Sequence, residues 1–313
     1  MSDIDISVFI PVKNGERYLD SALKAVFSQD INFKFEVIVI DSSSRDKTLD
    51  IIKKYPIRFY EIKEDDFNHG STRNFGISKA MGRYVILMTQ DAVPCDNRWM
   101  NRLVDNLEHD DSVAGVYSRQ IPHEDASVFA QIRTSRFLTS RREKRISWAG
   151  NAEDYNKLTP AEKYRFCNFD NVSSCIRKAV WENFKFSRTE FGEDTEWAKS
   201  VLEAGYKIVY EPDSMVYHSH DYSISGWYKR NRVNYSKLHS VFGLNDADAA
   251  YKLLLFFFVY TIRDFYSFIS FYKDKKGFKA IFLSVFLIPF YSFAGVLGQY
   301  IGIRKSKHSS PAS

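Results

Sequence analysis

Continuous apolar runs alternate with amphipathic segments over the first hundred residues. The runs at 6–11 (ISVFIP), 35–40 (FEVIVI) and 84–88 (YVILM) show no period-two alternation. That is the pattern of strands buried on both faces. The segment 58–62 reads as a further strand between them. Segments 18–27, 48–54 and 71–81 read as helices, the last expected to close on Gly82. Strands spaced by helices predict an α/β architecture with a mostly parallel sheet. Such sheets bind ligands beyond the carboxyl ends of their strands. Asp41 and Asp91 stand at two of those ends.

The pattern loosens after residue 115. A helix is predicted from Glu193-Asp194 to Ala204-Gly205, then strand character at 207–210, then Val216-Tyr217-His218-Ser219-His220. From about 224 the chain is helical in pattern. Residues 280–303 carry no charge, although Pro289, Gly295, Gly298 and Gly302 divide them. That length suffices for one membrane span. A helix lying in the interface, or one buried against the protein or a dimer partner, satisfies the same pattern. Residue 304 onward is polar and is expected to fray.

Composition narrows the classes. Of 313 residues, 44 are Lys or Arg and 39 Asp or Glu, for a net charge of +5. This balance does not favour a nucleic-acid partner. Three cysteines without a C-x-x-C pair argue against a disulfide scaffold and a structural zinc site. They suit a reducing compartment. The acidic start of the chain predicts no signal peptide. The 26 Phe and 19 Tyr crowd toward the C-terminus. With Lys273, Lys275, Lys276, Lys279, Arg304, Lys305 and Lys307 flanking the apolar stretch, they fit an anionic membrane face. Arg133, Arg136, Arg141, Arg142, Lys144 and Arg145 form a second basic cluster. It reads either as a solvated loop or as a contact for lipid or pyrophosphate oxygens.

Several residues carry candidate chemistry. Asp41, over a crevice, can accept a hydrogen bond from a base N–H. Asp46 reads as a helix N-cap. Asp91 is a carboxylate suited to Mg²⁺ or Mn²⁺ beside a diphosphate, or a turn initiator before Pro94. Glu193 and Asp194 can supply a general base, since a hydroxyl nucleophile must lose its proton. They can equally be the acidic first turn of a helix. His218 and His220 are spaced to face one side of an extended segment, as metal ligands or as ordinary histidines. Arg230 and Arg232 follow on a predicted helix, where they either meet a diphosphate or line a solvated face.

Five motifs stand in order: Val8-Phe9-Ile10-Pro11-Val12-Lys13-Asn14-Gly15, Val39-Ile40-Asp41-Ser42, Gln90-Asp91-Ala92, Phe191-Gly192-Glu193-Asp194 and His218-Ser219-His220. Together they resemble family 2 glycosyltransferases with the glycosyltransferase A-type, Rossmann-like fold. Phe67-Asn68-His69-Gly70-Ser71-Thr72-Arg73-Asn74, with Thr89-Gln90-Asp91-Ala92, is similar to the bacterial rhamnosyltransferase branch. The usual Asp-x-Asp is reduced here to the single acid Asp91.

The resemblance implies a catalytic domain over 1–235, with a nucleotide-sugar half to about 115 and an acceptor half beyond it. A C-terminal aromatic-rich helical region follows at 236–313. It implies an inverting transfer of rhamnose from dTDP-β-L-rhamnose, read as a step in surface polysaccharide synthesis. The cations flanking the apolar C-terminal stretch favour the cytoplasmic face of the inner membrane, and a lipid-linked saccharide acceptor is inferred from that. Asp194 is then the base and Glu193 its neighbour toward the acceptor, with Asn171. Pro11, Asp41, His69, Arg73, Asn74, Gln90, Asp91, Arg230 and Arg232 are expected at the donor. Asp91, His218 and His220 are expected at the metal. Another nucleotide sugar such as a UDP-hexose, or a scaffold with little activity, is the alternative.

Overall fold

The computed structural model describes residues 4–150, 152–189, 191–272 and 278–309. The first half runs β1 (Ile6–Val12), α1 (Leu19–Phe27), β2 (Phe35–Asp41), α2 (Thr48–Ile52), β3 (Arg58–Glu61), α3 (His69–Lys79), β4 (Tyr84–Met88), β5 (Val93–Pro94), α4 (Trp99–His109) and β6 (Val113–Ile121). Then come α5 (Val128–Thr134), β7 (Arg145–Ser147), α6 (Ala152–Lys157), α7 (Pro160–Phe166), β8 (Ser173–Arg177), α8 (Lys178–Asn183), α9 (Glu193–Glu203) and β9 (Lys207–Tyr217). Three long helices close the chain: α10 (Ile224–Phe242), α11 (Ala250–Tyr272) and α12 (Phe278–Ser309).

Two compact units emerge. The first comprises Met1–His123, Phe137–Leu158 and Arg165–Ser219. The second comprises Glu124–Arg136, Thr159–Tyr164 and His220–Ser313. The break at 219/220 precedes the expected 235, because α10 packs against α12.

In the first unit one sheet runs in the order β3-β2-β1-β4-β8-β6-β9-β5, with β7 paired to β9. The strands β3, β2, β1 and β4 are parallel. Between β4 and β6, β8 is antiparallel to both. The runs read from sequence as doubly buried are so: Val8, Ile10, Val39 and Ile86 are fully or almost fully enclosed. The core closes with Trp99, Leu103 and Leu107 from α4. Helix α3 ends at Lys79, not at Gly82. Gly82 is needed for another reason: a Cβ there would lie 2.7 Å from the Ile6 carbonyl carbon.

In the second unit α10 and α12 meet along a seam of small residues. A Cβ on Gly298 would lie 2.6 Å from the Tyr228 carbonyl oxygen, and one on Gly302 2.3 Å from that of Arg232. The glycines that divide 280–303 in the sequence therefore bring two backbones together, and α12 runs unbroken through Pro289. It continues to Ser309, so the polar tail expected to fray is helical up to there. Two segments, Ala250–Phe271 and Val285–His308, are long and apolar enough to cross a membrane by length and composition. The α11 segment is almost wholly uncovered, with Leu254, Leu255, Phe258, Ile262, Tyr266 and Ile269 all exposed. Half of the α12 segment is buried. Arg263 and Asp264, which interrupt the apolar run of α11, are paired: Asp264 accepts from Arg263, Arg136 and Ser292.

The 133–145 cluster is not a uniformly solvated loop. In the second unit Arg136 pairs with Asp264, and the Arg133 guanidinium lies 4.7 Å over the Trp227 ring and 5.2 Å over Tyr291. In the first, Lys144 pairs with Glu211, and Arg145 donates to the Tyr117 hydroxyl. Arg141 and Arg142 remain exposed. Lys273, Lys275 and Lys276 lie outside the described residues.

Candidate active site

The site grows from the carboxyl ends of β1, β2 and β4. Two loops leave β1 and β2 side by side, and each uses a left-handed residue, Asn14 (φ 49°) and Ser43 (φ 64°). Asn is tolerated there; Ser marks a tight constraint. Side chains lace the loops together. Asn14 N–H donates to Ser44 Oγ at 2.8 Å, Gly15 N–H to Thr48 Oγ1 at 2.7 Å, and Arg45 N–H to Asn14 Oδ1 at 2.9 Å. Asp46 accepts from both Thr48 N–H and Thr48 Oγ1, but it stands one residue before the expected place: the N-cap of α2 is Lys47. Asp41, only 1% exposed, is opposite Val12 in the register. Its two oxygens accept from the Ser44 N–H at 2.9 Å and hydroxyl at 2.5 Å. Pro11, partly exposed, lies just upstream. The Gln90 amide closes this end: Oε1 accepts from Lys13 N–H at 2.8 Å and Nε2 donates to Lys13 O at 3.0 Å. Gln90 thus holds the first loop with both ends of its side-chain amide.

Asp91 follows. His218, buried just beyond β9, places Nε2 3.7 Å from Asp91 Oδ2. Its other ring nitrogen, Nδ1, lies 2.9 Å from Gln120 Oε1, and Gln120 Nε2 donates to Asp170 Oδ2 at 2.7 Å. The sheet places these groups: Gln120 pairs with Val216 across β6 and β9, and His218 N–H donates to Ile121 O at 2.8 Å. Residues two apart on a strand share a face, so Gln120 and His218 are diagonal neighbours. His123 steadies Asp91 from behind, with Nε2 3.0 Å from the Asp91 carbonyl and its ring stacked on Tyr18 at 4.1 Å.

The second half of the site is the start of α9, reached through a left-handed Gly192 (φ 75°). Glu193 is 4% exposed and pairs with Arg73 at 2.8 Å, while Asn171 Nδ2 donates to the same oxygen at 3.3 Å. Burial pulls the Glu193 pKa up, but Arg73 and His69 outweigh it, and the group stays below its ordinary value. Asp194 is partly exposed and accepts from Asn171 N–H at 3.4 Å and Thr195 N–H at 2.7 Å. Its pKa goes the other way, well above the ordinary carboxylate range. Burial is the first cause; the charges of Glu193 and Asp170 add to it. Two adjacent acids pushed apart in this way provide a base near neutrality and a fixed anion.

Asp170 joins the halves. Its Oδ2 holds Gln120, and the residue after it, Asn171, holds both Glu193 and Asp194. Asp91, His218 and Asp194 are therefore linked within the first unit: by the 3.7 Å approach of His218 to Asp91, by hydrogen bonds through Gln120 to Asp170, and by the neighbouring Asn171 to Asp194. Arg73 and His69 belong to its acidic end: Arg73 Nη1 is 3.3 Å from His69 Nδ1. Asn74 serves as a brace, with Oδ1 accepting from Trp181 Nε1 and Phe186 N–H and Nδ2 donating to Phe186 O. The expected donor contact from Asn74 competes with all three bonds. His220, exposed, opens the second unit, and Arg230 and Arg232 lie in that unit on α10.

Gln120, His123 and Asp170 were not legible in the sequence. Gln120 sits inside a strand and His123 in the turn after it, with no spacing to mark them. Asp170, immediately before Asn171, was the one accessible signal, as an acid preceding a strand.

A sheet with a parallel nucleotide-type half, two laced loops at its carboxyl edge, and an acid–imidazole pair near a buried carboxylate pair together define a glycosyltransferase of the A-type fold. The model of glycosyl transferase family 2 matches residues 7–169, and the chain belongs to that family. Among similar proteins, the O-antigen chain rhamnosyltransferase RfbN of Salmonella typhimurium is 32% identical over 222 residues, covering 70% of this chain and 67% of that protein. WbaN of Salmonella anatum, also an O-antigen chain rhamnosyltransferase, is 31% identical over 201 residues, covering 63% and 60%. The mannosyltransferase PcManGT of Pyrobaculum calidifontis, solved with GDP-Man and Mn²⁺, shares the fold at TM-score 0.59 and 16% identity, over 98% of this chain and 88% of that one. TarS 1–349 of S. aureus with UDP does so at TM-score 0.53 and 17% identity, over 98% and 92%.

Proposed function

We propose that this glycosyltransferase moves L-rhamnose from dTDP-β-L-rhamnose, with inversion, to a hydroxyl of a lipid-linked saccharide. The observation that carries the reading is the single constellation linking Asp91 and His218 to Asp194. Inversion needs a base on the acceptor side and charge stabilisation on the leaving-group side, and this arrangement supplies one at each end. The rhamnosyl donor and the surface-glycan acceptor are supported by likeness to the two O-antigen rhamnosyltransferases.

Asp194 takes the proton of the attacking hydroxyl. Glu193, kept anionic by Arg73, holds up the affinity of Asp194 for that proton. Asn171 fixes both carboxylates, and with Glu193 faces the acceptor. At the other end the departing diphosphate gains charge as the sugar bond breaks. The donor set fits a divalent cation. A carboxylate and an imidazole 3.7 Å apart span between the roughly 3 Å of adjacent and 4.2 Å of opposite positions on a cation with ~2.1 Å bonds. Asp91 and His218, with His220 two residues on, would hold Mg²⁺ or Mn²⁺, and the cation would supply charge neutralisation for the diphosphate. Arg230 and Arg232, expected at the donor from the resemblance, stand on α10 in the second unit. Gln90 and Pro11 shape the donor loop, and Asp41, whose two oxygens already accept from Ser44, is the acceptor for a base N–H. The exposed apolar face of α11, in a unit that also carries Arg263, Arg304, Lys305 and Lys307, is the surface proposed to lie in the headgroup region of the cytoplasmic leaflet, where a lipid-linked acceptor is presented.

The test is incubation of the protein with dTDP-rhamnose, UDP-glucose, UDP-galactose and GDP-mannose, each with a lipid-pyrophosphate saccharide and Mn²⁺, followed by product mass and linkage analysis. Rhamnosyl transfer with an α-linked product supports the proposal. Transfer from another donor alone, or no transfer, overturns it.

A further inference from the structure

His218 meets Asp91 through Nε2, and an imidazole nitrogen can bind a cation only through a lone pair. In a neutral imidazole one nitrogen carries the proton and the other the lone pair. The hydrogen bond made by the far nitrogen decides which. Here that bond goes to the Gln120 side chain, so the orientation of one buried amide decides whether His218 can serve.

That orientation follows from donor and acceptor chemistry. Asp170 Oδ2 faces one end of the Gln120 amide at 2.7 Å, while Asp170 Oδ1 accepts from Val172 N–H at 2.9 Å. With Oδ1 already an acceptor, a carboxylate in its ordinary ionised form can only accept at Oδ2 as well. The amide end turned to Asp170 is accordingly its NH₂, and the end turned to His218 is its carbonyl oxygen, 2.9 Å from Nδ1. A carbonyl oxygen only accepts. Nδ1 must therefore carry the proton, and Nε2, facing Asp91, the lone pair. Gln120 is 3% exposed and cannot exchange these bonds for water. Its backbone is also tied, since Gln120 O accepts from Ser140 Oγ at 3.0 Å.

We propose that Gln120 is a positioning residue that locks His218 in the Nδ1–H tautomer and so presents its Nε2 lone pair beside the Asp91 carboxylate, ready for a divalent cation. The inference rests on the cation reading of Asp91 and His218 only for its use; the tautomer itself is a property of the metal-free protein. Asp170 is the origin of the relay and acts on the histidine only through Gln120. The hydrogen-bond chain thus runs from a carboxylate to a neutral amide to the ring. An amide holds the tautomer without placing a second negative charge against the metal-side imidazole.

The readout is two-bond ¹⁵N–¹H correlation on full-length protein labelled at histidine, metal-free and above the imidazole titration range. His218 is assigned by the signal lost in His218→Gln. The expected pattern is a protonated Nδ1 and a pyridine-like Nε2. A protonated Nε2 overturns the inference and leaves the function reading untouched. The Gln120→Met variant keeps the length and removes both hydrogen bonds. It should release the tautomer preference and weaken Mn²⁺ binding in the presence of dTDP by about 10–100-fold, read from the free Mn²⁺ electron-spin signal. Metal-free dTDP binding should stay within about twofold of wild type. Unchanged tautomer and unchanged Mn²⁺ affinity in that variant also overturn the inference. If the variant does not fold, the wild-type spectrum decides alone. A wild-type Nδ1–H tautomer with no Mn²⁺ uptake supports the inference and removes the metal reading instead.

Discussion

Asp194→Asn should make the protein slower and more stable together. The Asp194 carboxyl is pushed up by burial, by Glu193 and by Asp170, and drawn down by Arg73 and the Thr195 N–H. Its folded pKa lies above the unfolded 3.8, so the native state holds the proton more tightly than the unfolded chain. Stability from this group is therefore complete below pH ~4 and is lost as pH rises through the raised folded pKa. Between the unfolded value and the raised folded one, the native state keeps a proton that the unfolded chain releases; above the folded value the wild type carries an ionised carboxylate beside two like charges. The isosteric amide keeps the Thr195 N–H bond, gives up the longer Asn171 N–H contact at 3.4 Å, and removes that repulsion. An uncompensated buried polar or charged group costs about 1–3 kcal/mol or more. A gain of that size corresponds to roughly 2–4 °C of melting temperature per kcal/mol in a large domain. Turnover should fall by about 10²–10⁴, the usual contribution of a general base. The assays are thermal melts of both proteins at pH 4.5, 7 and 9, and rhamnosyl transfer at pH 7.5. The melting difference should be near zero at pH 4.5 and widen with pH. A variant less stable than wild type, a difference that does not change with pH, or turnover within threefold of wild type would refute the assignment.

Other outcomes follow from neighbouring contacts. Glu193→Gln removes the second cause of the raised Asp194 pKa, so the acidic limb of the kcat/KM profile should move to lower pH. A profile that stays in place or moves up argues against electrostatic coupling of the pair. Arg73→Met leaves Glu193 buried without its counter-charge and should lower urea stability by about 3–5 kcal/mol, as for other broken buried pairs. Gly298→Leu drives a side chain into the Tyr228 carbonyl, which would sit 2.6 Å from its Cβ, and should open the α10–α12 pair to limited proteolysis. Phe258→Ser with Ile262→Ser removes two exposed apolar groups of α11 and should reduce sedimentation with anionic liposomes by at least tenfold while soluble-acceptor activity persists. Unchanged sedimentation would place the membrane contact elsewhere.

The sheet was legible because its strands are buried on both faces, and continuous apolar runs such as 35–40 and 84–88 have few other homes. Boundaries were less so: Gly82 looks like a helix stop, but its lack of a Cβ serves the backbone of β1. The basic cluster misled for a related reason. Charge spacing in sequence does not show that Arg136 reaches Asp264, 128 residues away, or that Arg133 lies over aromatic rings. At the site, Asp91, Glu193, Asp194 and His218 stood out because acids and histidines at element ends are few. Gln120 and Asn74 did not. A neutral amide gains meaning only from the two groups it joins, and those come from distant segments.

That difference says how the site divides its work. The charged residues that could do chemistry sit where the backbone leaves an element: Asp91 after β4, His218 after β9, Glu193 and Asp194 at the start of α9. The residues that orient them are neutral amides held within or beside strands: Gln90 on the donor loop, Gln120 on His218, Asn171 on both acids. An amide both donates and accepts, so it can join an acid to a ring, or an acid to a backbone, without altering the net charge of the pocket. Replacing Gln120 or Asn171 with a carboxylate or a cation would keep a hydrogen bond yet shift the balance between Glu193, Asp194 and Asp170, on which the raised affinity of Asp194 for its proton depends.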